Sequence, residues 1–134
     1  MIKSAILCID DEPIILQSLK SQLREGLKNK YLIESAENGA DALEVIEELQ
    51  EDGVDLQMIL CDWLMPGMNG DELLVQIHKD HPDIVKVLLT GQAQKEAVKN
   101  AEEKANLFTC LNKPWDKEEL INLINNALYK KKLK

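Results

Sequence analysis

The chain alternates short apolar segments with longer segments of helical periodicity. The apolar segments have the length and composition of buried β-strands. They are residues 4–9, 31–36, 56–61, 84–90 and 107–111. In the intervening segments apolar residues recur every three to four positions, which predicts helices. These helices are expected at 13–27, 40–50, 71–79, 92–104 and from Asp116 onward. Five such units without a long linker predict one α/β domain, a doubly wound five-stranded parallel sheet with five helices.

Composition excludes several classes of protein. A chain of 134 residues has the length of one domain. Its net charge of −8 argues against general nucleic-acid binding, which needs clustered Lys and Arg. No apolar run approaches the roughly 20 residues of a membrane span, and the N-terminus lacks the features of a signal peptide. The expected location is the cytoplasm, without a membrane partner.

The cysteines and the C-terminal lysines have ordinary interpretations. Cys8, Cys61 and Cys110 are widely spaced within apolar runs, which favours buried free thiols over a disulfide framework or a zinc site. We expect residues 1–130 to form the domain and residues 131–134 to form a basic tail that would begin a linker. The alternative for the tail is a solvated helix end, which the helix dipole favours.

Polar residues follow four of the five predicted strands. Asp10 and Asp11 follow the first strand, Asp62 the third, Thr90 ends the fourth and Lys113 follows the fifth. The carboxyl ends of parallel strands share one edge of the sheet, where α/β proteins bind their ligands. The sequence therefore predicts that these side chains converge on one site.

The three acidic side chains need a compensating positive charge. Carboxylates about 5 Å apart repel by about 3 kcal/mol per pair at an effective dielectric constant of about 20. Oxygen ligands favour a hard divalent ion, and Mg²⁺ is typically held by one or two carboxylates with waters and phosphate oxygens. A carboxylate can also act as a nucleophile toward phosphorus. Asp62 precedes a Pro/Gly loop that leaves it accessible, so it is the expected acceptor of a phosphoryl group. Asp10 and Asp11 are expected to hold the ion.

These motifs resemble those of the receiver domain of two-component response regulators. The resemblance covers residues 3 to about 130 and rests on "DDEP", "CDWLMPGMNG", "LLTGQA" and "NKPW". It implies a flavodoxin-like fold with strand order 2-1-3-4-5. It also implies that a histidine kinase or a phosphotransfer protein phosphorylates Asp62.

The resemblance assigns further roles at the site. Asp11, Asp62 and the backbone carbonyl of Leu64 would bind Mg²⁺ directly, and Asp10 would act through water. It also assigns three residues to the phosphoryl group. Lys113 would pair with it, Thr90 would move toward it as the switch, and Gly91 would leave room for it.

The resemblance further implies a regulatory domain rather than an enzyme, because its chemistry is limited to its own phosphorylation and dephosphorylation. The unknown output domain or protein would bind the face formed by the fourth helix, fifth strand and fifth helix. A phosphorylation-dependent dimer is a further expectation.

The sequence departs from the family pattern near the lysine. Receivers usually carry Tyr or Phe three residues before it, where this chain has Cys110 and the nearest aromatic residue is Phe108. Rotation of an aromatic ring on activation is therefore in question. Leu64 and Gln92 occupy positions that influence the loss of the phosphoryl group in the family.

Other functions are weighed against this interpretation. A phosphatase of the haloacid dehalogenase type also combines Asp, Thr and Lys, but it places its nucleophile in a DxD pattern and normally carries a cap domain. A flavin-binding protein would need a phosphate-binding loop where "DDEP" stands. A binding-only receiver-like module would not need all five key residues.

Aromatic residues, histidines and methionines outside this set have simpler expectations. Trp63 and Trp115 are either rim residues that meet a partner or partly buried packing residues. His78 and His81 are expected at the surface, away from the acidic edge. The methionines are expected to serve packing.

Overall fold

The predicted strands form one parallel sheet in the computed structural model, which describes residues 3–91 and 95–133. The strands are β1 (Ser4–Ile9), β2 (Leu32–Ala36), β3 (Asp55–Asp62), β4 (Val85–Thr90) and β5 (Thr109–Asn112). Their order in the sheet is β2-β1-β3-β4-β5, which confirms the flavodoxin-like topology. In this order the carboxyl ends of β1, β3, β4 and β5 are consecutive along one edge.

One helix follows each strand. The helices are α1 (Pro13–Gly26), α2 (Gly39–Glu51), α3 (Gly70–Asp80), α4 (Lys95–Lys104) and α5 (Lys117–Lys132). Pro13 begins α1, where its missing N–H costs nothing. Asp116 caps α5 by accepting a hydrogen bond from the amide of Glu119. The predicted start of the fourth helix, at 92–94, lies outside the described residues.

Two apolar layers cover the two faces of the sheet. Alternate residues of β1 point to opposite sides: Ala5, Leu7 and Ile9 belong to one layer, and Ile6 and Cys8 to the other. The first layer packs against α2, α3 and α4, and the second packs against α1 and α5. In the described residues both faces of the sheet are therefore covered, and the predicted site lies at the carboxyl ends of the strands.

Two local predictions differ from the structure. The sequence Asn38-Gly39 is typical of a turn, but the side chain of Asn38 instead accepts a hydrogen bond from the amide of Asp41 and caps α2. The last strand begins at Thr109 rather than 107. The amide of Leu107 still donates to the carbonyl of Ala101 at 3.1 Å, so that residue closes the end of α4.

The cysteines are free thiols, as expected. Cys8 and Cys61 are buried, whereas Cys110 is half-buried. Burial raises the pKa of Cys8 to about 12. Three of the C-terminal lysines, residues 130–132, lie in the last turn of α5. None of the helices in residues 3–91 and 95–133 is long and apolar enough to cross a membrane.

Candidate functional site

Three strand-end residues meet directly at the edge of the sheet. Asp10 follows β1, Asp62 is the last residue of β3, and Lys113 follows β5. The amine of Lys113 donates to Oδ1 of Asp62 at 2.8 Å and to Oδ2 of Asp10 at 3.0 Å. The sheet topology therefore joins positions 103 residues apart in the chain.

Asp10 is completely buried and fully engaged at the base of the site. Its second oxygen, Oδ1, accepts a hydrogen bond of 2.9 Å from the amide of Glu12. A buried carboxylate is costly unless it is paired and hydrogen-bonded. Lys113 and the Glu12 amide meet this requirement, so Asp10 is held in one orientation.

Burial, together with hydrogen bonds and charges of the site, shifts the pKa values of Asp62 and Lys113. Burial raises the pKa of Asp62 above its ordinary value; the charges of Asp10 and Asp11 add to this effect, and Lys113 opposes it. Burial alone would lower the pKa of Lys113, but its hydrogen bonds to Asp62 and Asp10 and their charges raise it. Lys113 is therefore a protonated cation beside the carboxylate of Asp62, whose basicity is raised.

Three carboxylates can act together on a metal ion. Asp10, Asp11 and Asp62 each present one oxygen, and these oxygens lie within 4.8 Å of one another. One amine cannot neutralise three carboxylates, so the site retains negative charge even with Lys113 in place. An all-oxygen, anionic donor set suits a hard divalent cation, and the residues present therefore fit Mg²⁺.

The acidic cluster opens into a surface pocket. The pocket is lined by Asp11, Glu12, Asp62, Trp63, Leu64, Met65, Pro66, Gly91 and Lys113. The Leu64 side chain is 65% exposed at the rim. A β-carbon on Gly91 would meet no atom of the described residues within 4 Å, so these residues leave this corner of the pocket open. Asp62, 6% exposed, can thus be reached by a small group.

Gly70 holds the loop after Asp62 close to the sheet. Its amide donates to the carbonyl of Trp63 at 2.7 Å, and a β-carbon here would overlap the backbone carbonyl of Asp62. Only glycine permits this close approach. The start of α3 is therefore fixed against the end of β3.

Thr90 ends β4 beside the cluster, but its hydroxyl is turned toward β5. Thr90 is 3% exposed, and its Oγ1 donates to Oδ1 of Asn112 at 3.0 Å. In the unmodified protein it therefore bonds to a neighbouring strand rather than to the carboxylates. The structure thus places Thr90 within the site region, where its backbone carbonyl accepts a hydrogen bond of 2.7 Å from the amide of Lys113 while its hydroxyl bonds to Asn112.

Neither Cys110 nor Phe108 supplies the aromatic ring that the family pattern leads one to expect three residues before the lysine. Cys110 packs against the layer that contains α4. Phe108 packs against the opposite layer, and the amine of Lys130 lies 5.6 Å from its ring centroid. Because the sheet separates the two layers, Phe108 cannot fill the position of Cys110.

The remaining predicted residues are mostly packing groups. Trp63 and Trp115 are partly buried against the two apolar layers, and Nε1 of Trp115 donates to Gln22 at 2.9 Å. His78 is half-buried; burial, with the charge of Lys86, lowers its pKa. Among the methionines, Met58 and Met65 are buried as expected.

Sequence reasoning missed three polar features. Asn112 lies directly before Lys113 in "NKPW", and this position is the sequence signal that could have found it. Asp71, 7% exposed in α3, accepts a hydrogen bond of 2.8 Å from Asn100 of α4. Lys86 is 1% exposed in β4 and donates to the carbonyl of Ile84 at 2.7 Å.

Comparison with known proteins identifies a family. The model of the response regulator receiver domain family matches residues 6–125. The transcriptional regulatory protein GlrR of Escherichia coli (strain K12) is 34% identical over 125 residues, which cover 92% of this chain and 26% of GlrR. The protein PilH of Pseudomonas aeruginosa is 29% identical over 124 residues, 92% of this chain and 96% of PilH. The sensor kinase CckA of Brucella abortus is 29% identical over 127 residues, but the chain spans only 13% of its length. The hydrogenase transcriptional regulatory protein HoxA of Bradyrhizobium diazoefficiens is 27% identical over 127 residues, which cover 95% of this chain and 24% of HoxA.

Solved structures agree with this assignment. A signal receiver domain of an HD domain-containing protein from Pseudomonas fluorescens superposes with a TM-score of 0.86 at 26% identity, covering 98% of this chain and 99% of that one. A CheY-like response regulator receiver domain protein from Methanospirillum hungatei superposes with a TM-score of 0.84 at 29% identity, covering 98% of both chains. Residues 3–91 and 95–133, the part of the chain that the structure describes, therefore have the fold of these domains.

Proposed function

Since the chain belongs to the response regulator receiver domain family, we propose that Asp62 accepts a phosphoryl group from a histidine kinase or a phosphotransfer protein. The observation that carries this proposal is the 2.8 Å contact between Asp62 and the amine of Lys113, within a cluster of three carboxylates. An Asp62 oxygen attacks phosphorus, the phosphorus–nitrogen bond of a phosphohistidine breaks, and the imidazole leaves.

The residues around Asp62 position and stabilise the transferred group. Phosphoryl transfer depends on alignment and on neutralisation of the phosphoryl oxygens. Lys113 supplies a positive charge, and its second contact with Asp10 holds the amine in place. Thr90 donates its hydroxyl to a phosphoryl oxygen after modification, and the open corner at Gly91 receives the group.

Asp10, Asp11 and Asp62, with the backbone carbonyl of Leu64, would hold Mg²⁺. When bound, this ion supplies positive charge to the phosphoryl oxygens. The buried Asp10 acts as an anchor of the site, because its oxygens are already engaged by Lys113 and the amide of Glu12. Asp11 lies at the pocket and is exposed, so its carboxylate is free to adjust.

Phosphorylation then changes the surface on which partners bind. A phosphoryl group brings about −1.5 to −2 charges to a site that held one carboxylate. Movement of Thr90 changes the loop toward α4, whose buried anchors are the small residues Ala97 and Ala101. The face formed by α4, β5 and α5 is the proposed contact for an output domain, an output protein or a second copy of the chain.

The proposed chemistry of the domain is limited to its own phosphorylation and dephosphorylation. Several relatives are named as transcriptional regulators, and one as a sensor kinase. We propose residues 1–130 as the receiver domain and residues 131–134 as its basic C-terminal tail, the first two residues of which lie in the last turn of α5.

Phosphorylation by acetyl phosphate tests this function. Wild type should gain one phosphoryl group by intact mass spectrometry only when Mg²⁺ is present, and Asp62→Asn should gain none. Asp55→Asn is the matched control, because Asp55 is exposed at the opposite end of the same strand. Equal labelling of Asp62→Asn and wild type would refute the assignment.

A further inference from the structure

Thr90 and Asn112 lie directly opposite each other on neighbouring strands. The register of β4 and β5 pairs Thr90 with Asn112, and the backbone carbonyl of Thr90 accepts a hydrogen bond of 2.7 Å from the amide of Lys113. Oγ1 of Thr90 donates to Oδ1 of Asn112 at 3.0 Å. The backbone and side-chain bonds together fix Thr90 against β5.

A threonine hydroxyl carries a single hydrogen and donates it to one acceptor at a time. Thr90 is also β-branched, so its side chain occupies a small number of rotamers. While the hydroxyl donates to Asn112, it cannot donate to a group on Asp62. The two acceptors therefore compete for one donor.

We propose that Asn112 is a positioning residue that holds the hydroxyl of Thr90 away from Asp62 until the phosphoryl group arrives. This inference rests on the proposed function of Asp62 and Thr90. It gives Asn112 a role in setting the balance between the two states of the switch. Removing its side-chain oxygen should shift that balance toward the phosphorylated form.

The environments of the two residues suit a reversible exchange. Asn112 is exposed, so water satisfies its side-chain oxygen when Thr90 leaves. Thr90 is 3% exposed, so its hydroxyl needs a protein or ligand partner in either state. An anionic phosphoryl oxygen is a stronger acceptor than a neutral amide oxygen, and the exchange therefore favours the modified protein.

The neighbouring residue on the same face of β5 offers no comparable restraint. Cys110 is half-buried against the layer that contains α4, and a thiol is a weak hydrogen-bonding group. Among the described residues, the hydrogen bond of the Thr90 hydroxyl goes to Asn112. The restraint on Thr90 in this chain is therefore polar and depends on one amide.

Binding of beryllium fluoride, a phosphoryl mimic, tests the proposal. With Mg²⁺ in excess, titration calorimetry should show that Asn112→Ala binds about two- to tenfold more tightly than wild type, the worth of one neutral hydrogen bond. Thr90→Ala should bind more weakly. Asn112→Ala should have no further effect in the Thr90→Ala background, because its effect acts through that hydroxyl.

Two further measurements separate positioning from a general structural effect. Asn112→Thr keeps an oxygen acceptor on a strand-forming residue and should bind like wild type. In the absence of beryllium fluoride, the Thr90 methyl resonance of Asn112→Ala should move toward its position in the bound wild type. Affinity for Mg²⁺ alone should be the same in wild type and in Asn112→Ala.

The possible failures are distinct. Unchanged or weaker beryllium fluoride binding by Asn112→Ala, or an equal gain in the Thr90→Ala background, would overturn the role of Asn112 and leave the function of Asp62 standing. Wild type that binds no beryllium fluoride, or binds it equally after Asp62→Asn, would overturn the proposed function and this inference with it.

Discussion

Lys113 donates a hydrogen bond of 2.8 Å to Asp62, a residue 51 positions earlier in the chain. The same amine reaches Asp10, so one cation bridges two buried carboxylates. Within the proposed function this cation has two tasks: it stabilises the acidic cluster before modification, and it meets the phosphoryl group afterwards. Removing the cation should therefore lower the stability of the metal-free protein but strengthen its binding of Mg²⁺.

Replacing the cation with Lys113→Met should destabilise the fold without metal and strengthen metal binding. Asp10 then stays buried without its charge partner, which costs about 3 kcal/mol. Mg²⁺ should restore part of this loss, because a ligand of the folded state stabilises it. Urea unfolding with and without Mg²⁺ measures both effects.

The control for this variant is Lys117→Met, which removes an exposed ion pair with Glu25. It should change stability by less than about 1 kcal/mol, with no dependence on Mg²⁺. Equal losses of stability in the two variants would contradict the bridging role of Lys113.

Asp62→Asn should stabilise the metal-free protein at neutral pH. Burial, with the charges of Asp10 and Asp11, raises the pKa of Asp62. The folded state thus keeps this proton to a higher pH than the unfolded chain does. The contribution of Asp62 to the stability of the fold is therefore fully present at low pH, and it is lost as the pH rises through the folded-state pKa of Asp62.

At pH 7 the Asn variant should be more stable by about 1 kcal/mol, the size of a net charge repulsion in a partly solvated site. The advantage should vanish below pH about 4, where aspartate is protonated in both states. Unfolding titrations across pH measure it. If the variant were less stable than wild type at pH 7 without Mg²⁺, the charge of Asp62 would not destabilise the folded protein, and the prediction would be wrong.

Lys86→Met should also stabilise the protein at neutral pH. Burial lowers the pKa of Lys86 to about 8, with a further contribution from Lys131 that Asp83 opposes. The folded state thus releases this proton more readily than the unfolded chain does, so wild-type stability from this group rises between pH about 8 and about 10.5. Replacing a buried charge with an apolar side chain commonly adds about 1–3 kcal/mol.

The gain from Lys86→Met should therefore be present at pH 7 and shrink toward pH 10. Thermal unfolding at several pH values measures it, with Lys30→Met, at an exposed loop position, as the control. A gain that did not depend on pH would indicate that packing rather than charge is responsible.

Asn100→Ala should loosen α4. The side chain of Asn100 donates to the buried carboxylate of Asp71 at 2.8 Å and joins α4 to α3. Losing this donor leaves a buried acceptor unpaired, which costs about 1–3 kcal/mol. Hydrogen exchange should accelerate in α4 more than in α3.

Asn125→Ala is the matched control, since Asn125 is an exposed residue of α5. It should leave exchange in α4 unchanged. Equal protection of α4 in wild type and Asn100→Ala would mean that Ala97 and Ala101 are sufficient anchors.

The convergence of Asp10, Asp62 and Lys113 could be predicted because it depends only on topology. Each residue lies at the carboxyl end of a parallel strand, and right-handed crossovers bring such ends to one edge. The buried strands could be predicted for a similar reason, since a domain of this size needs apolar segments between two layers. Neither inference required the position of an individual side chain.

The side-chain pairs that tune the site could not be predicted in this way. The bond between Thr90 and Asn112 depends on the register of β4 and β5, and a shift of one residue would turn Asn112 to the other face. The bond between Asp71 and Asn100 depends on how two helices are rotated. The sequence around Lys86 predicts a strand, but it does not reveal that the amine turns back to the carbonyl of Ile84.

The location of the modified residue tests the central proposal most directly. Borohydride reduces an aspartyl phosphate to homoserine, which tandem mass spectrometry can place in the sequence. After treatment with acetyl phosphate and Mg²⁺, we predict homoserine at position 62 and unmodified Asp10 and Asp11. Homoserine at position 10 or 11, or a phosphoryl group found on a histidine with Asp62 unchanged, would contradict the account.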